Sequence, residues 1–285
     1  QHGEAELTLT NVLSRRRKIL GEDHPDTAAS IGQLAVLYSD QKKYAEAEPL
    51  YRQSLRIREA ALGPEESSVI RIVNSLAHNC NEQKKYEEAF ELFERVRKFH
   101  EDTSGTTSPE LAEALDNLAD VCTRRLELVQ AETLRRQSIA IYEKVKGPDS
   151  AEAADGINFL AINYLNRGMY AAAEEMFSKC LTLRQKLYGN ESEKVAESLN
   201  NLAAVYLEQD KYDEAIDYQE RALKVRQDVL GSQHSLTGVS LNNLATVYMD
   251  KADFGVAEEL FNQSLSILEQ SAGPDHIDTA QTLNN

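Results

Sequence analysis

One period governs the chain. The pair Leu-Ala recurs at Leu34-Ala35, Leu76-Ala77, Leu118-Ala119, Leu160-Ala161, Leu202-Ala203 and Leu244-Ala245, each step being 42 residues. A second series, Tyr44, Tyr86, Leu128, Tyr170, Tyr212 and Phe254, keeps the same step, and so does the alanine series from Ala47 to Ala257. Glycine follows at Gly21, Gly63, Gly105, Gly147, Gly189, Gly231 and Gly273. Independent series sharing one period of this length demand a stack of similar units, each burying its apolar face against the next.

Within a unit the spacing is helical. Ile31, Leu34, Ala35 and Tyr38 fall three and four residues apart and share one face. A polar turn, Asp40-Gln41-Lys42-Lys43, precedes a second stripe of Tyr44, Ala47, Leu50, Tyr51, Ser54, Leu55 and Arg58. Gly63 and Pro64 end that stripe, because glycine accepts the left-handed cap and proline cannot continue a helix. Glutamates open the second helix and arginines lie toward its end, as its dipole favours. The unit is therefore a helix hairpin, and Ala35 and Ala47 mark where its two helices come close.

These residues resemble a known family. The pattern Leu34-Ala35-x-x-Tyr38, then Ala47, Tyr51 and Ser54, is similar to the tetratricopeptide repeat (TPR), in the 42-residue form found in kinesin light chains and nephrocystin-like proteins. The resemblance implies an all-α fold, a right-handed superhelical solenoid of antiparallel helix hairpins. The expected organisation is a single array over 1–285, with six full repeats at about 25–66, 67–108, 109–150, 151–192, 193–234 and 235–276. Half-repeats at 1–24 and 277–285 suggest that the natural chain is longer.

Composition narrows the function. A net charge of −16 argues against nucleic acid and anionic membrane surfaces as partners. No segment is apolar enough to insert into a bilayer. Three cysteines, Cys80, Cys122 and Cys180, are too few and too regular for a disulfide framework, which points to a reducing, cytoplasmic setting. Cys80 and Cys122 share the packing position of Tyr38. No phosphate loop, zinc motif or nucleophile–base arrangement is present, so neither an enzyme nor a cofactor is expected. His24, His234 and His276 share one position before a first helix, where they suit capping.

The candidate site lies in the repeated phrases SLNNLAAVY and SLNNLATVY. Asparagine is a mediocre helix former, and its amide offers the same donor and acceptor functions as a peptide unit. The two adjacent positions read Asn74, Asp116, Asn158, Asn200 and Asn242, then Ser75, Asn117, Phe159, Asn201 and Asn243. The resemblance implies that first helices line a concave groove. There Asn117, Asn201 and Asn243, flanked by Asn74, Asn158, Asn200 and Asn242, would grip the main chain of an extended peptide. Leu165, Leu207 and Met249 would add an apolar strip, and mostly acidic outer positions suit a partner with apolar and basic residues. The function implied is a protein-interaction adaptor, in the manner of kinesin light chain cargo recognition. The alternative is a sensor or autoinhibitory array within a larger signalling ATPase-type protein.

The pattern is least regular near residues 96–135. Val96 replaces a small residue, and Arg135 stands where Tyr51, Phe93 and Phe177 supply an aromatic, as Gln219 does later. Looser packing or a bend is one expectation there, and compensation by neighbouring residues is the other.

Overall fold

A computed structural model describes residues 2–271, 273 and 276–285. The end of the sixth expected repeat includes residues 272, 274 and 275, which lie outside the described residues. The chain divides into two compact units, residues 1–145 and 146–285.

The first unit holds α1 (His2–Leu20), α2 (Pro25–Asp40), α3 (Tyr44–Leu62), α4 (Ser67–Glu82), α5 (Tyr86–Ser104), α6 (Pro109–Arg124) and α7 (Leu128–Lys146). The second holds α8 (Ala151–Asn166), α9 (Tyr170–Tyr188), α10 (Glu193–Leu207), α11 (Tyr212–Leu230), α12 (Ser235–Asp250), α13 (Phe254–Ser271) and α14 (Ile277–Asn284). First helices therefore begin every 42 residues from Pro25, and second helices every 42 from Tyr44.

Local chemistry sets these limits. His24, His234 and His276 cap their helices, each Nδ1 accepting from the backbone N–H two residues on, at 3.1, 3.2 and 3.3 Å. Ser108, Ser150 and Ser192 cap theirs with hydroxyls that accept from the backbone N–H three residues on. Every second helix whose end is described stops at a glycine of positive φ, as at Gly63 (φ 89). The hairpin turns need a left-handed residue as well. Lys42, Lys84, Leu126, Gly168, Asp210 and Ala252 occupy that position, and at Leu126 a γ-branched side chain is held at φ 63.

Alanines let the helices close. Ala35, Ala47, Ala77 and Ala89 are fully buried and pack with Tyr51, Leu76, Phe93 and Leu118 into a core joining α2 through α6. Ala161, Ala173, Ala203 and Ala215 hold the same positions in the second unit, around buried Phe177 and Leu202. A small polar residue ties some of the hairpins. Ser54 donates to the Ala28 carbonyl at 2.6 Å, and Ser264 to that of Gly238 at 2.7 Å. The cysteines are buried and free. Burial pushes the Cys80 thiol up to about 12 and Cys122 up to about 11, so both are packing groups at neutral pH.

The irregular segment is compensated at Arg135. Its guanidinium is buried and donates to Asp116 Oδ1 at 2.7 Å, with Ser138 Oγ bonded to the same oxygen. The asparagine position has become aspartate where the aromatic became arginine. Gln219 uses the same route, donating to Asn200 Oδ1 at 3.2 Å. No such repair operates at Val96, which cannot make the serine–carbonyl bond, and a cavity opens there.

Candidate functional site

The cavity beside Val96 measures about 630 Å3 and is lined by α4, α5 and α6. Asn74 and Asn117, two of the residues expected to grip a ligand, both line it. Ile70, Val96, Phe99 and Ala114 form its apolar wall, Arg71, Glu110 and Glu113 supply charge, and His100 adds an imidazole. Glu110 and Glu113 make no ion pair among the described residues. Asn74 Oδ1 is buried with no hydrogen-bond partner, and the Asn117 amide makes no hydrogen bond among the described residues. A buried carbonyl oxygen without a donor is costly, and it is the acceptor that a peptide N–H would satisfy.

The asparagines of the second unit are differently employed. Asn201 Nδ2 donates to Asn158 Oδ1 at 2.9 Å, Asn243 Nδ2 to Asn200 Oδ1 at 2.7 Å, and Asn285 Nδ2 to Asn242 Oδ1 at 3.3 Å. These bonds step from each first helix to the preceding one. Asn158 is 2% exposed and also donates to Glu197 at 3.3 Å, so both its amide functions are taken. Asn200, Asn201, Asn242 and Asn243 stay partly exposed and keep unused amide functions. Leu165, Leu207 and Met249 are each half-buried near the ends of α8, α10 and α12.

Sequence reasoning missed the cavity wall. Phe99 and His100 lie on a second helix, whereas the groove was expected from first helices alone. The signal was Val96, the one bulky residue in a series of serine, cysteine and alanine.

The outer charges are more engaged than the sequence suggests. Arg184 is 1% exposed and donates to Asp155 Oδ1 at 2.7 Å and Glu197 Oε1 at 3.4 Å. Arg124 pairs with Asp120 at 3.0 Å and Glu82 at 3.6 Å. Among the described residues no group of His, Cys, Asp and Glu could hold a metal ion, and no helix is long and apolar enough to cross a membrane.

The tetratricopeptide repeat model matches residues 1–60, 68–144, 149–228, 194–270 and 236–285. The chain belongs to the tetratricopeptide repeat family. TPR arrays are protein–protein interaction scaffolds, and this chain carries that class of function. No curated protein matches it in sequence. Among solved structures it is similar to BtubC (BKLC) from P. vanneervenii, with TM-score 0.68 and 22% identity over 81% of this chain and 93% of that one. A kinesin light chain candidate from Podosopora anserina, built of nearly identical TPR-like repeats, gives TM-score 0.63 and 23% identity, covering 72% and 98%. The apo form of RapI gives TM-score 0.68 at 15% identity, covering 95% and 92%. These likenesses confirm the TPR fold.

Proposed function

We propose that this chain is a non-catalytic TPR adaptor that binds an extended peptide segment of a partner protein, with the cavity between α4, α5 and α6 as its principal receptor. The observation that carries this reading is that Asn74, whose Oδ1 has no hydrogen-bond partner, lines the same cavity as Asn117. A ligand main chain offers an N–H to Asn74 and a carbonyl to Asn117, whatever its side chains. Ile70, Val96 and Phe99 accept an apolar anchor, and unpaired Glu110 and Glu113 suit a basic residue. In the second unit the partly exposed Asn200, Asn201, Asn242 and Asn243, with Leu165, Leu207 and Met249, extend the same mode of contact. The likeness to kinesin light chain-type repeats supports a cargo or assembly adaptor, and the absence of cysteine pairing suits a cytoplasmic setting.

The test is paired affinity capture followed by mass spectrometry. One bait is the wild-type chain and the other is Asn74→Ala/Asn117→Ala, checked by circular dichroism for unchanged helicity. Partners lost from the variant bait support the reading. Identical partner sets would overturn it.

A further inference from the structure

One corner between repeats is filled in one copy and open in the next. Arg95 of α5 reaches back to the end of α3 and the loop after it. Its Nη1 donates to Glu59 Oε1 at 2.6 Å and its Nη2 to the Pro64 carbonyl at 2.8 Å. One period later Gln137 stands for Arg95, Glu101 for Glu59 and Thr106 for Pro64. The turn itself is kept, with Gly105 at φ 77 where Gly63 has φ 89.

Where the arginine is missing, a cavity of about 320 Å3 opens between α5, α6 and α7. Gln137, Glu101 and Thr106 line it, over an apolar wall of Leu111, Leu115 and Ile141. It shares no residue with the cavity beside Val96. Gln137 makes no hydrogen bond among the described residues, and the Thr106 carbonyl accepts none among them. The cavity is also one cation short. Arg97, on its rim, is shared between Glu94 at 3.0 Å and Glu101 at 2.6 Å, whereas Arg95 meets Glu59 one to one. The same corner recurs between α11, α12 and α13 as a cavity of about 470 Å3. There Gln227 replaces Glu101 and Gln263 replaces Gln137, and among the described residues no charged side chain lines it.

We propose that the cavity between α5, α6 and α7 receives an arginine side chain of a partner protein, its guanidinium taking the place that Arg95 fills one repeat earlier. Glu101 and the Thr106 carbonyl accept from it as Glu59 and the Pro64 carbonyl accept from Arg95, and the Gln137 amide oxygen is a further acceptor. The methylene stem lies on Leu111, Leu115 and Ile141. Two acceptors in different directions suit a guanidinium fork better than the point charge of a lysine. The neutral copy between α11, α12 and α13 offers no carboxylate and takes no arginine. The contact uses none of the asparagines, and it stands whether or not the cavity beside Val96 holds a peptide.

The test titrates the full isotope-labelled chain with the capped tripeptide acetyl-Gly-Arg-Gly-amide and with its citrulline and lysine counterparts. Heteronuclear NMR reads the Gln137 side-chain amide and the Thr106 backbone amide, with the Gln263 side-chain amide as the control from the neutral copy. The arginine peptide is expected to move the first two signals saturably, binding about tenfold more tightly than the citrulline peptide, which keeps the shape and lacks the charge. The lysine peptide should bind more weakly than the arginine peptide. Glu101→Gln should weaken arginine binding about tenfold. Gln137→Arg, which supplies the guanidinium from within the chain, should abolish it at Thr106 with helicity unchanged by circular dichroism. Equal binding of the arginine and citrulline peptides, binding that survives both variants, or an equal response at Gln263 overturns the proposal.

Discussion

Asn243 Nδ2 donates to Asn200 Oδ1 at 2.7 Å, joining two first helices through residues 43 apart in sequence. The bond recurs between Asn201 and Asn158 at 2.9 Å, and is missing between Asn117 and Asn74, where the spacing is the same. One pair of asparagines thus serves repeat-to-repeat stability in the second unit and is left open in the first.

That difference predicts opposite mutational behaviour. Asn201→Ala strands the buried Asn158 oxygen and is expected to cost about 1–3 kcal/mol. Asn117→Ala removes no hydrogen bond and improves helix propensity, so its stability should stay within about 0.5 kcal/mol of wild type or rise. Urea denaturation of both variants, followed by circular dichroism, checks the contrast. Equal losses in the two would show that Asn117 also holds the stack.

Arg135 and Asp116 behave as a unit. Arg135→Ala leaves a largely buried carboxylate without its cation and should cost about 3 kcal/mol. The combination Arg135→Phe/Asp116→Asn installs the residues that Phe93 and Asn74 supply at the same positions 42 residues earlier. Its stability is expected to exceed that of Arg135→Ala, because no buried charge is left without a partner. A double-mutant cycle on unfolding free energies measures the coupling.

Glu48 gives the acid limb of the stability profile. Burial alone would raise its carboxyl, but hydrogen bonds from Lys85, Arg52 and Gln83 outweigh burial and hold it at about 2. A carboxylate depressed in the folded state contributes stability above its unfolded value, near 4.5, and loses it as pH falls toward 2. The full shift corresponds to about 3 kcal/mol, and screening of the exposed Arg52 and Lys85 side chains reduces this to about 1–2 kcal/mol. Thermal melts between pH 6 and pH 2.5 should show this decline flattened in Glu48→Gln.

Leu126 sits at φ 63 with 81% of its surface exposed. Replacing it by glycine, the residue found 42 positions later at Gly168, relieves the left-handed strain and sacrifices little packing. The unfolded chain gains entropy, so the net stabilisation should be about 0.5–1 kcal/mol. Gly168→Leu should destabilise by a similar amount. Differential scanning calorimetry of the two single variants reads both signs.

The hairpins were legible because their determinants are local and repeated. Alanine at the close approaches, histidine or serine before first helices and glycine after second helices each act within a few residues. The roles of the asparagines were not legible. Their chemistry is identical in Asn74 and Asn158, and only the facing helix decides whether an amide finds a partner. Arg135 shows the same limit. Read alone it breaks the aromatic series, and its repair depends on Asp116, 19 residues away.

The asparagine ladder has a polarity. At each of its rungs the later repeat supplies the donor and the earlier repeat the acceptor. A ribosome therefore presents every acceptor before the donor that will cover it exists. Each hairpin, on leaving the exit tunnel, can close its rung onto a neighbour already folded, so in the second unit the wiring of the rungs follows the order of synthesis.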